Sequence, residues 1–159
     1  MSTGPRKWIS KRALPVWRIS GAIHSGIFVL AMGGAAALAF IFDGPGWIIP
    51  AAVILACVYM YFFIILFPSL KWKRWRYEVR EQEIELQHGI FIVKRTLVPM
   101  VRVQHVDTRQ GPILRKYALA TIAVSTAATV HEIPALDMDE AEELRLSISK
   151  LARVADEDV

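Results

Sequence analysis

The chain has 159 residues, 54% of them hydrophobic, and a formal charge of +4; its mean hydropathy of +0.36 is high for a soluble protein. Arg6, Lys7, Lys11, Arg12 and Arg18 supply five positive charges, Asp43 removes one, and residues 71–159 hold fourteen of each sign. A neutral soluble part argues against nucleic acid as the main partner, since that binding needs a basic face, and a single cysteine, Cys57, excludes an intrachain disulfide framework.

After a basic segment, 1–18, residues 19–42 carry no formal charge, and neither do residues 47–70. Each stretch is 24 residues long, roughly 36 Å as a helix at about 1.5 Å per residue, enough to cross a hydrocarbon core with some tilt. Asp43-Gly44-Pro45-Gly46 between them predicts a tight turn and hence an antiparallel hairpin. A cleaved signal peptide is the rival reading of the first stretch, with Ala37-Leu38-Ala39 as its cleavage site. The apolar run is far longer than an h-region, and a second run follows at once.

Basic residues flank the outer ends of both runs and are absent from the turn, which predicts a two-span protein of the cell membrane with both termini cytoplasmic. Trp8, Trp17, Trp47, Trp72 and Trp75 fall near span ends, where amphipathic rings sit at the interface. Ala31, Ala35 and Ala39 recur at a spacing that suits close helix packing, within the hairpin or against another protein; alanine merely tolerated in lipid would look the same. Cys57 is expected to act as a small buried hydrophobe. His24, with no carboxylate in either span to pair with, reads as an interfacial histidine rather than a proton relay.

From Trp75 onward the period changes to short alternating segments. Strands are predicted over 77–80, 84–87, 90–98 and 100–108, the last with Val101 and Val103 on one face and Arg102 and Gln104 on the other. Gln110-Gly111-Pro112 ends it, 113–117 makes a helical or irregular link, and 120–126 with 129–133 closes a hairpin. After Pro134 the period becomes helical, with Asp137 as N-cap, Glu140 three residues on, and Ala141, Leu144, Ile148 and Leu151 on one face.

Glu85-Leu86-Gln87-His88-Gly89, the run from Val98 through Pro99 to Val106, Gln110-Gly111-Pro112, Arg115-Lys116-Tyr117 and Val124-Ser125-Thr126-Ala127 together resemble the bacterial pleckstrin-homology-like domain of YdbS-type membrane proteins. The two preceding spans match that layout. The resemblance implies a pleckstrin-homology (PH)-like barrel, a companion protein with several copies of the domain, and a role in protection against membrane-active peptides.

His88, His105 and His131 do not stand at metal-ligand spacing, no glycine-rich phosphate loop is present, and nothing around Ser125 forms a nucleophile elbow. The sequence therefore predicts no enzyme, metal or cofactor. Its densest polar cluster is Arg102, Gln104, His105, Asp107 and Gln110, followed by Arg115 and Lys116. Those arginines suit forked hydrogen bonds to a partner's carboxylate or a lipid phosphate; an outer strand face with one arginine fixing a loop would look the same. The basic run 71–76 reads mainly as a topology signal that holds the domain near the surface.

The expected architecture is an α+β membrane protein, a transmembrane helical hairpin (19–70) followed by a PH-like small antiparallel barrel or bent sheet capped by a C-terminal helix (71–159). The expected role is a non-enzymatic subunit that assembles with other PH-domain membrane proteins, in envelope defence or export. Its partners would be the lipid bilayer and a larger multi-PH-domain protein or a second copy. The alternative is a stand-alone lipid- or peptide-binding module at the inner membrane surface.

Overall fold

A computed structural model describes residues 4–157; the outermost positions of the basic segment, 1–3, and of the soluble domain, 158–159, lie outside the described residues. The chain divides into two compact units, Leu14–Leu70 and a second made of Met1–Ala13 with Lys71–Val159.

The first unit is the hairpin. Helix α1 spans Ala13–Ile41, and the second arm runs as α2 (Ile48–Met60), a π-helical turn (Tyr61–Leu66) and α3 (Phe67–Arg74). Both arms are long and apolar enough to cross a membrane, and almost none of their most apolar stretches is buried inside the protein. Helix is the form such a run must take in lipid, because it satisfies its own backbone polar groups. The helical stretches outrun the uncharged ones, starting at Ala13 and ending at Arg74. The link is the tight turn expected, with Asp43 at φ 53° and Gly44 N–H donating to Ala39 O at 2.7 Å.

Of the readings of the alanine spacing, packing within the hairpin is not the one realised, because the arms meet on a different face. Ala31 and Ala35 are exposed, whereas Gly21 and Ser25 pack inward: Ser25 is buried, and a side chain at Gly21 would collide with the Phe63 carbonyl oxygen. Pro68, five residues beyond Phe63, has no N–H to give that oxygen, and the widened turn before it routes Phe67 N–H back to Phe62 O instead. Phe28 and Tyr59 stack at 3.9 Å between ring centres higher in the pair. Cys57 is not buried as expected; it lies exposed on the outer surface of its apolar helix. His24 is also exposed, its ring 6.1 Å from that of Phe63.

The second unit holds two antiparallel sheets and a long helix. One sheet has the order β1-β2-β3-β4, with β1 at Lys7–Trp8, β2 at Arg76–Val79, β3 at Glu83–His88 and β4 at Lys94–Pro99. The other has the order β5-β6-β7, with β5 at Val103–Arg109, β6 at Leu119–Thr126 and β7 at Val130–Asp137. Helix α4 (Pro112–Lys116) links β5 to β6, and α5 (Met138–Glu157) packs on β5, β6 and β7. Core side chains come from both sheets and the helix: Tyr77, Ile84, Met100, Leu119, Ile122, Ile133 and Ile148 are fully buried. Each large one contributes about 1.5–3 kcal/mol relative to exposure.

Four local expectations change. Residues 90–93 do not extend the strand that 94–99 forms; they make an exposed tip between β3 and β4. Met100–Arg102 is a 3₁₀ turn that buries Met100, so β5 begins only at Val103. Strand β7 continues through Pro134 to Asp137, with a register shift opposite Ala120 and Ile122 and a φ of 52° at Ala135 that absorb the proline. The side chains expected to cap α5 have other partners: Asp137 Oδ1 accepts Ser10 Oγ at 3.2 Å, and Glu140 Oε1 accepts Tyr77 Oη at 2.7 Å.

The N-terminal segment is part of this unit. Lys7 and Trp8 pair with Tyr77 and Arg76, Ser10 N–H donates to Ala135 O, and Trp72 Nε1 donates to Ser10 O. Ile9 is only 2% exposed, and Trp8 stacks on Trp72 with the Arg76 guanidinium 4.3 Å from its ring centre. Trp75, expected as an interfacial anchor, is 7% exposed and stacks on His88.

Candidate partner-binding site

The polar cluster starts where β4 turns into β5. Proline at 99 and the 3₁₀ turn swing the chain out of the first sheet into the second, leaving Val101 and Arg102 exposed at the corner. A groove of about 500 Å³ opens there, walled by Leu97 and Pro99 of β4, Arg102, Gln104, the β6–β7 turn and His131. Both β4 and β5 are end strands of their sheets, so this corner offers strand edges as well as side chains. Exposed Leu97 and Val101 give it an apolar rim beside the Arg102 guanidinium. A second hollow, between β5 and α5, shares Gln104 and adds His105, Arg153 and Asp156.

The six residues singled out from the sequence do not form one site. Arg102 and Gln104 line the groove, and His105 stands next along β5, its Nε2 3.7 Å from Asp107 Oδ2 at an exposed position. Gln110 has a structural contact, its Nε2 donating to Leu119 O at 2.9 Å and closing the β5–β6 connection. Arg115 and Lys116 sit in the last turn of α4, beyond the far end of β5. Seven strand residues at about 3.4 Å each separate them from Arg102 by roughly 24 Å.

His131 is the one titratable side chain of the groove, among the described residues, besides Arg102, and it is not among the six. It stands opposite buried Val124, on the same face of β7 as buried Ile133 two residues on, so the strand alternation reads it as core-facing and gives no signal for the groove. The third histidine, His88, lies against the Trp75 ring, and burial together with the neighbouring Lys94, His131 and Lys71 charges pushes its pKa below the usual histidine value. Among the described residues, no cluster of three or more His, Cys, Asp or Glu side chains is placed to hold a metal ion. Elsewhere, Arg80 reaches Glu78, Glu83 and Glu85 at 3.0–3.2 Å and fixes the β2–β3 turn.

Two antiparallel sheets followed by one long C-terminal helix are consistent with a PH-like domain. The family model of the bacterial PH domain matches residues 25–152. The chain belongs to this family. It is 53% identical, over all of both chains, to the UPF0699 transmembrane protein YdbS of Bacillus subtilis (strain 168). It is also 22% identical over 95 residues to the UPF0699 transmembrane protein YdbT of the same organism, covering 57% of this chain and 19% of that protein. No solved structure matches it. The molecule is thus a transmembrane protein with a bacterial PH domain, and its groove lies within that domain.

Proposed function

We propose that the protein is a non-enzymatic membrane subunit whose PH domain binds another PH-domain membrane protein through the groove beside Arg102. The observation that carries this reading is the corner itself, where two strand edges, an apolar rim and one exposed guanidinium meet around about 500 Å³ of open space. An extended segment of a partner can add to such an edge, with side-chain pockets setting specificity, and the guanidinium suits a carboxylate in forked geometry. The similarity of 57% of this chain to 19% of the longer YdbT supports a larger membrane partner that shares part of this sequence. A role in envelope defence or export, with both termini on the cytoplasmic side, completes the proposal. It is supported by the family resemblance and by the basic residues that flank the spans.

Charge reversal tests it. Arg102→Glu is expected to abolish co-purification of a larger membrane protein, while Arg115→Glu, at the other end of β5, leaves it intact. Equal effects of the two, or none from Arg102→Glu, would remove the groove from the account.

A further inference from the structure

We infer that the β3–β4 tip, residues 89–93, inserts into the interfacial layer of the bilayer, in the leaflet that receives the end of the second span. Phe91 is 86% exposed, Ile92 85% and Val93 42%, three consecutive large apolar side chains that add nothing to the core. Hairpin tips ordinarily take turn-forming polar residues, and this one is held in a built conformation. Gly89 adopts a φ of 117°, and any Cβ there would collide with the Ile92 carbonyl oxygen.

The register gives the tip its direction. Arg76 opens β2 opposite Gln87, and His88 pairs with Lys94, so the tip and the start of β2 lie at the same end of one sheet. The chain reaches β2 directly from the helix that ends at Arg74, which brings it out of the membrane. With strands about 4.8 Å apart, β4 lies roughly 10 Å from β2. Trp75 ties the two together by stacking on His88 at 5.6 Å.

The charges fit the same surface. Exposed Lys94 and Arg95 follow the tip, and Lys73 and Arg74 precede β2, surrounding an apolar point with cations at headgroup level. An anionic leaflet offers each a favourable potential, while the acyl boundary takes the apolar side chains. This inference stands apart from the subunit reading, since the tip and the Arg102 groove involve different residues.

The test uses the full chain with Cys57→Ser, reconstituted in nanodiscs of phosphatidylglycerol and phosphatidylcholine. An environment-sensitive fluorophore is attached at Ile92→Cys or, as a control, at Glu81→Cys in the turn at the opposite end of the sheet. The expected result is blue-shifted emission at 92, quenched by doxyl-labelled lipid and several-fold less by aqueous iodide than at 81. Equal iodide quenching at the two positions, with no effect of doxyl lipid, would overturn the inference. Shielding of 92 from both quenchers would overturn it too, because a protein surface would then cover the tip.

Discussion

Replacing Ile9 by alanine tests whether the N-terminal segment is a working part of the domain. Ile9 is 2% exposed, between a two-residue strand on β2 and a backbone bond from Ser10 to Ala135. Truncating a buried isoleucine to alanine costs about 2–5 kcal/mol. The segment is short enough to undock while the sheets stay folded, so the loss falls on its own docking equilibrium. Even the lower figure, about 2 kcal/mol, multiplies the undocked population roughly 30-fold. Hydrogen–deuterium exchange of the peptide containing Ser10, followed by mass spectrometry in detergent, reads that population. Exchange there should quicken by that order in Ile9→Ala while peptides from β6 keep their protection. If the wild-type segment already exchanges at the rate of an unstructured chain, the reasoning is refuted.

Tyr77→Phe deletes a 2.7 Å bond from a fully buried ring to Glu140 and should cost about 1.5–3 kcal/mol in detergent unfolding, a loss that a double-mutant cycle with Glu140→Ala assigns to the pair. Burial and the Glu140 carboxylate raise the Tyr77 pKa, so the folded state keeps its proton where the unfolded chain gives it up. Stability from this group is therefore full below about pH 10 and falls as the pH rises beyond it, and Tyr77→Phe should flatten that fall. Gly21→Val places a branched side chain against the Phe63 carbonyl and should separate the two arms, seen as loss of a crosslink between cysteines engineered into them. With Cys57→Ser, a cysteine at Gly44 should react with an impermeant reagent added outside intact cells; labelling only after lysis would reverse the proposed orientation.

The hairpin was legible because an uncharged run of 24 residues has the length of a membrane crossing and exceeds what a buried core helix usually needs. Most strands were legible because alternation marks a half-buried sheet. The N-terminal strand was not: Lys7-Trp8 carries no periodicity, and its basic neighbours look the same whether they flank a span or dock on a sheet. Residues 90–93 read as strand because Ile-Phe-Ile-Val is strand-forming in composition, and composition does not tell a buried strand from an exposed apolar tip. Cys57 and the face on which the two arms meet were not legible for a related reason, since on a helix apolar all round the sequence does not tell which side meets its neighbour. Of the polar cluster, Arg102 and Gln104 line one groove, whereas Arg115 and Lys116 look adjacent across a glycine-proline turn when a full strand separates them in space.

Whether the protein works as a subunit is read by extracting the tagged chain gently from its native membrane and measuring the mass and composition of the particle. A larger PH-domain membrane protein in fixed stoichiometry with this chain is the predicted result. A lone monomer, or an assembly of this chain only, would contradict it.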